Sequence, residues 1–325
     1  MKLDVSIEHW ELKQPFRITG NVWHHSSGIL VTLKDGDAVG RGEAQGVSYL
    51  GEDTDSMLAQ IENVRGSIER GISRDALQTL LPRGGARNAV DCALWDLEAK
   101  SSGKTIWQLT AIDPVPVTTV FTIGIEATAA EMAAKASAAH DCPVLKIKLD
   151  DNEPLQRLRA IRGARPDARI VVDANQGWNI ELLEKIAPEA ARLNIEMIEQ
   201  PLPRGADEAL ESFTCQVPLA ADESCQDSAE LEQSVRRYDM INIKLDKTGG
   251  LTEALRLAGA ARAAGCRLMV GNMLGTSLGM APSFVVAQLC DFVDIDGPLL
   301  MKSDRPHGLQ YNHGKVQIFG PELWG

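Results

Sequence analysis

Two rhythms of apolar and polar residues divide the chain. Residues 2–9, 28–34 and 37–44 alternate with a period of two, as strands with one buried face do. Asp35-Gly36 supplies a tight turn between the last two. Residues 53–69 and 86–101 instead carry apolar side chains at helical spacing. In the second stretch Ala89, Cys92, Ala93, Leu94, Leu97 and Ala99 share one face, and Ser101-Ser102-Gly103 ends it. Strands followed by helices predict a small α+β domain over residues 1–112.

A different rhythm follows. Short β-branched runs recur at 117–121, 144–148, 169–173, 195–199, 217–222, 240–244, 267–270 and 292–296. Helical stretches fill the gaps, as at 127–140, 178–192 and 251–264. Eight strands alternating with helices predict an α/β fold, a closed parallel TIM-like barrel over residues 113–299. An open doubly wound sheet is the alternative, but no G-x-G-x-x-G follows any strand. Residues 300–325 leave the rhythm and are expected to pack back on the N-terminal domain.

Composition narrows the function. Of 325 residues, 44% are hydrophobic and 24% charged, which supports a packed core and excludes a disordered chain. Lys plus Arg number 33 against 45 Asp plus Glu, a net charge of −12. Nucleic acid and anionic membranes, which want a basic face, are not expected partners. No run approaches a membrane span, and the start lacks the apolar segment of a secretory leader. The six cysteines form no C-x-x-C pair and the six histidines are scattered, so free thiols in a cytoplasmic protein are expected, without a zinc cluster.

The informative fact is where charge falls. Lys148, Asp173, Glu199, Asp222 and Lys244 end successive runs at intervals of 25, 26, 23 and 22 residues, and Asp294 follows two units later. An eight-unit barrel of ~200 residues spends about 25 per unit, and its active site lies at the C-terminal ends of the strands. Alternation fixes direction. In VLKIKL, Leu145, Ile147 and Leu149 must meet the helices, so Lys146 and Lys148 point into the barrel. The same logic turns Asn242 and Lys244 inward, and Asp294 and Asp296 around Ile295. Inward charges are costly unless paired or metal-bound. Asp173, Glu199 and Asp222 are three hard oxygen donors suited to Mg²⁺. The alternative is a set of internal salt bridges with the lysines. A lysine must fall from ~10.4 toward ~7–8 to act as a base near neutrality, and Lys146 beside Lys148 supplies like-charge repulsion in that direction. Lys244 lies four strands from Lys148, across the ring, so the two could serve opposite faces of a bound carbon acid.

At these residues the chain resembles the enolase superfamily, in its muconate-lactonizing-enzyme subgroup. The matching pieces are ARNAVDCALWDLEAK at 86–100, KIK at 146–148, VDANQGW at 172–178, IEQPL at 198–202, ADES at 221–224, INIKLDKTGG at 241–250 and MVGNMLGTSLG at 269–279. The resemblance implies a modified (β/α)7β barrel under an N-terminal α+β capping domain. It implies Mg²⁺ on Asp173, Glu199 and Asp222, Lys148 and Lys244 as the acid/base pair, Lys146 in support, and an enediolate. DIDGP at 294–298 resembles the D-x-D signature of dipeptide epimerases. Asp294 and Asp296 would then bind a dipeptide's free α-ammonium while the Cα beside its carboxylate is inverted. N-acylamino-acid racemization, o-succinylbenzoate synthesis, muconate cycloisomerization and a noncatalytic ligand-binding relative are the alternatives.

Two departures bear on specificity. Relatives acting on Ala-Glu carry Arg in the N-terminal loop, whereas this chain reads GNVWHH at 20–25, with Arg17 earlier. Trp23 is expected to line the pocket and to favour an apolar or aromatic C-terminal residue. Many relatives have Glu where this chain has Gly275. Tyr49 in a cap loop, Thr122 on the first barrel strand and Met273 after the seventh are further substrate-contact candidates. Lys247, outside the strand face, is expected at the surface or in support, and His24-His25 in solvent or packing. The expected partners are a small-molecule dipeptide and further copies of the chain in a homo-oligomer.

Overall fold

A computed structural model describes residues 1–325. Strands β1 (Lys2–Ile18) and β2 (Asn21–Asp35) form one long antiparallel hairpin, and β3 (Ala38–Ala44) adds to β2. The hairpin outruns the predicted strands because its register shifts between Glu11 and Phe16, and such a bulge breaks the period of two. The tip at Thr19-Gly20 reaches the barrel: the Thr19 hydroxyl lies 3.0 Å from Ala174 O and 3.4 Å from Leu149 O. Helices α1 (Thr54–Glu69) and α2 (Arg74–Leu80) complete the cap with α3 (Gly85–Ser102), which is buried almost all round. Gly42 allows α3 to lie on β3, since a Cβ there would sit 2.0 Å from Ala89 O. On its other side Arg87 donates to Thr248 O at 2.7 Å and Gly249 O at 3.2 Å, tying cap to barrel.

After α4 (Ile106–Thr110) comes a correction to the first barrel strand. The run 117–121 is split: β4 (Val117–Thr118) pairs outside the barrel, and β5 (Phe121–Ile123) begins it. The barrel continues through α5 (Ala129–Ala138), β6 (Val144–Lys148), α6 (Pro154–Ala164), β7 (Arg169–Asp173), α7 (Ile180–Arg192), β8 (Ile195–Glu199), β9 (Leu219–Ala221), α8 (Leu231–Ser234) and β10 (Met240–Ile243). Then follow α9 (Leu245–Thr248), α10 (Leu251–Ala263), β11 (Arg267–Val270), α11 (Ser277–Ala287), β12 (Phe292–Val293) and α12 (Gly297–Leu300). Eight parallel strands stand in order from β5 to β12. Val120 N donates to Val293 O at 2.8 Å, drawing the last strand against the first. The architecture is the modified (β/α)7β barrel with an α+β cap.

The tail supplies β13 (Tyr311–Asn312) and β14 (Lys315–Val316), and β14 pairs with β4. It ends against the cap, where the fully buried Trp324 donates to Arg41 O and Cys92 O, both at 3.1 Å. No helix is long and apolar enough to cross a membrane.

Candidate active site

Six of the eight strands deliver charges to one mouth. Lys146 and Lys148 end β6, Asp173 ends β7 and Glu199 ends β8, with Lys148, Asp173 and Glu199 in register across the ladder. Asp222, Lys244, Asp294 and Asp296 lie one to three residues past β9, β10 and β12. All are buried, and Asp173, Glu199 and Asp222 have no exposed surface.

Ion pairs make this burial tolerable. Lys146 Nζ stands 2.7 Å from Asp294 Oδ2, 2.8 Å from Glu199 Oε2 and 3.1 Å from Asp173 Oδ2. Lys148 Nζ lies 2.5 Å from Asp173 Oδ2, and Lys244 Nζ 2.7 Å from Asp222 Oδ2. Asn242 Nδ2 donates to Glu199 Oε1 at 2.6 Å. Lys247 is not at the surface. It is 1% exposed, with Nζ 2.8 Å from Asp222 Oδ1, and it donates to the carbonyls of Cys225 and Asn242 at 2.9 and 2.8 Å. Helix α9 swings this side chain back under Asp222, a turn that strand alternation does not describe.

These contacts set the protonation states. Burial would raise Asp173, but Lys148 and Lys146 hold it down at about 2. Burial and the charge of Asp173 push Glu199 up to about 7. Burial would lower Lys146 and Lys244, yet the carboxylates hold both above the usual lysine range, Asp294 foremost for Lys146 and Asp222 for Lys244. That reverses the expected depression: three acids around Lys146 outweigh its like-charged neighbour.

With ammonium groups standing among them, no three acidic side chains close around a single point as a ready cation cage. The donor set nevertheless fits Mg²⁺. Three hard carboxylates come from adjacent strands, and Glu199 Oε2 and Asp222 Oδ1 are buried without a hydrogen bond, each facing only an ammonium.

Asp294 Oδ1 accepts from Asn272 Nδ2 at 3.2 Å, and Asp296 Oδ2 from Thr122 N at 2.6 Å. Burial and neighbouring Asp294 push Asp296 up to about 7. Thr122 therefore reaches the site through its backbone. Tyr49, in a short turn at Ser48–Leu50, accepts from Gln226 Nε2 at 2.9 Å. Burial and Asp222 hold its phenol above the usual range.

Trp23 and Met273 are half-buried and make no hydrogen bond or ion pair with the charged cluster. Trp23 stacks on Phe16, ring centroids 6.3 Å apart. Phe16, with Phe121, Thr122 and Leu299, lines a cavity of about 370 Å³ beside the barrel seam, and Trp23 is not among the residues that line it. Arg17 is exposed and unpaired. At Gly275 a Cβ would meet Gln45 Oε1 at 2.7 Å, so a cap side chain fills that room. Glu223, inside the ADES segment, lies past the end of β9, where strand alternation does not single it out. It is 4% exposed, its Oε2 has no partner, and burial with Asp222 pushes it up to about 8.

Comparison with known proteins gives this geometry a family context. Residues 1–110 match the mandelate racemase/muconate lactonizing enzyme N-terminal domain, and residues 128–318 the enolase C-terminal domain-like family. The chain is 41% identical to the L-Ala-D/L-Glu epimerase of Escherichia coli (strain K12), over 96% of this chain and 98% of that protein. It is 38% identical to an N-acetyl-D-glutamate racemase of a Pseudoalteromonas species, over 91% and 95%. Among solved structures, an enolase family member from Agrobacterium tumefaciens with homology to dipeptide epimerases, holding sodium and L-Ala-L-Glu, superposes with a TM-score of 0.97 at 44% identity, covering 99% of each chain. A dipeptide epimerase from Enterococcus faecalis V583, complexed with Mg and L-Leu-L-Tyr, superposes at 0.91 with 27% identity, covering 98% and 96%.

Proposed function

We propose, from the premise that the chain belongs to the mandelate racemase/muconate lactonizing enzyme family of the enolase superfamily, that it is a Mg²⁺-dependent dipeptide epimerase. Membership at this identity makes it an isomerase acting on amino-acid derivatives. The observation that carries the finer reading is the contact chain Asp294–Lys146–Glu199 and Asp173, which joins one acid past β12 to the acids of β7 and β8 through one ammonium.

In this reading Asp173, Glu199 and Asp222 hold the metal, which supplies Lewis-acid stabilisation of charge growing on the substrate's carboxylate. Asp294 and Asp296 take the free amine at the other end. The Cα to be inverted then lies between β6 and β10, four strands apart. One of Lys148 and Lys244 removes its proton and the other returns one to the opposite face, with roles exchanged for the two epimers. Lys146 keeps the acids in place. An N-acylated substrate offers nothing to two buried acids, which favours dipeptides although one relative is an N-acetylglutamate racemase. With no arginine at 20–25 and the Phe16–Trp23 pair at the hairpin tip, the preferred C-terminal side chain is read as apolar or aromatic rather than strictly Glu.

Incubating the protein with Mg²⁺ and L,L-dipeptide libraries in D₂O tests this. Epimerized products one mass unit heavier are expected, and they disappear on chelation. Absence of exchange in every dipeptide, with exchange in N-acyl amino acids, rejects the reading.

A further inference from the structure

Past Val293 the chain leaves the sheet, yet the backbone carrying Asp294 and Asp296 is gripped at nearly every polar group. Asp294 N donates to Val270 O at 2.8 Å, and Asp294 O accepts from Asn272 Nδ2 at 2.8 Å. Ile295 N donates to Thr119 Oγ1 at 3.1 Å. Ile295 O, midway between the two acids, accepts from the hydroxyl of Tyr311 at 2.6 Å.

Side chains thus replace the ladder that ends at β12, and one of them comes from the C-terminal tail. Tyr311 is itself held firmly. It pairs with Val316 in β13–β14, and Val316 pairs with Val117 of β4. Upstream, Leu309 N donates to Ser277 Oγ at 2.8 Å. Burial, with Asp296 and Asp304 nearby, holds the phenol well above its usual range, so it stays a donor. No reacting group needs this hydroxyl, and its acceptor is the carbonyl whose peptide links Ile295 to Asp296.

We propose that Tyr311 is a positioning residue for amine recognition, its hydroxyl fixing the Ile295 carbonyl and with it the separation and aim of the Asp294 and Asp296 carboxylates. This rests on the reading that those acids hold a dipeptide's ammonium. Two carboxylates sharing one tetrahedral cation must be aimed to fractions of an ångström, and an unpinned peptide between them would let the pair spread. The effect belongs to substrate affinity, because Lys148 and Lys244 stand on other strands and pair with Asp173 and Asp222, not with Asp294 or Asp296.

The test uses the full chain with Mg²⁺ and the dipeptide that the wild type epimerizes fastest. Tyr311→Phe keeps the ring and removes the hydroxyl. Losing one part-buried hydrogen bond of ordinary strength predicts a KM raised about fivefold to tenfold. kcat should stay within about twofold, since no reacting group moves. Thr119→Val, which keeps the side-chain shape but frees Ile295 N and removes the bond from the same hydroxyl to Val293 O at 3.3 Å, should raise KM in the same way. A merely structural tyrosine would lower the melting temperature and the active fraction and leave KM alone, and that result overturns the proposal. If Tyr311→Phe does not fold, Thr119→Val decides by the same split. A wild type that epimerizes no dipeptide overturns the dipeptide reading and this proposal with it, whereas dipeptide turnover with unchanged KM in the variants overturns this proposal alone.

Discussion

Two layers fill the inside of the barrel, and they differ by a single step of two residues. The lower layer is Val120, Val144, Val171, Met197, Ala220, Met240, Met269 and Phe292, one apolar side chain per strand, packed as a cluster of its own. Two residues further along each strand stand Thr122, Lys146, Asp173, Glu199, Asp222, Asn242, Gly271 and Asp294. Both layers use the inward face, because positions i and i+2 of a strand share it. One is a plug that excludes water and holds the strands together. The other carries five ions, Lys146, Asp173, Glu199, Asp222 and Asp294, which gain little stability over an apolar filling and, in the proposed reading, serve the chemistry. A strand face decides which residues meet, and the height along the strand decides what the meeting is for.

The difference can be broken first at the top. Lys148 and Lys244 stand on the same inward face one step above Lys146 and Asn242, and replacing either with Ala should lower epimerization about 10³-fold, the range expected for a lost general base, with the fold intact by circular dichroism. A comparable loss of folded protein would erase the distinction between layers. At the bottom, Phe292→Ala should cost about 3–5 kcal/mol in denaturant unfolding, because it empties the floor and strips a ring flanked by the guanidinium groups of Arg169 and Arg267 at 5.2 and 5.4 Å. Turnover per folded molecule should change little. Gly271 tests the seam between the layers. A Cβ there would sit 2.8 Å from Asn242 Oδ1 and 2.9 Å from Lys244 Cε. Gly271→Ala should therefore displace Lys244 and cut kcat by up to about 10²-fold while the unfolding midpoint moves slightly.

The smallest effect lies outside both layers. Asp246 accepts from Gln45 N at 3.0 Å and Gly46 N at 2.8 Å, joining barrel to cap, and burial pushes its carboxyl from 3.8 up to about 7. The folded state keeps a proton that the unfolded chain releases, so this group's contribution is fully present below pH 3.8 and is lost as pH rises through about 7. Unfolding curves of Asp246→Asn across that window should fall less steeply with pH than those of the wild type. An unchanged slope would mean that another group sets it.

Much of this was legible along the chain. The eight runs, the inward lysines and the charges at the strand ends follow from alternation alone, since apolar neighbours leave each charge only the barrel interior. Other features depend on contacts that no local pattern carries. The run 117–121 reads as one strand because every residue in it suits a strand, but Val117 pairs with the tail while Val120 bonds to Val293. The rise in the affinity of Lys146 for its proton comes from its meeting acids on three other segments. Lys247, Glu223 and Tyr311 sit past strand ends or in the tail, where the period of two no longer tells direction.

The central claim is that two lysines face opposite sides of one carbon acid. The most direct measurement is α-proton exchange in D₂O, by NMR, for each epimer of a good dipeptide substrate with Lys148→Ala and with Lys244→Ala. The account predicts complementary halves: each variant still exchanges one epimer, a different one in each case, and neither interconverts the two. Loss of the same epimer's exchange in both variants, or continued interconversion in either, would contradict it.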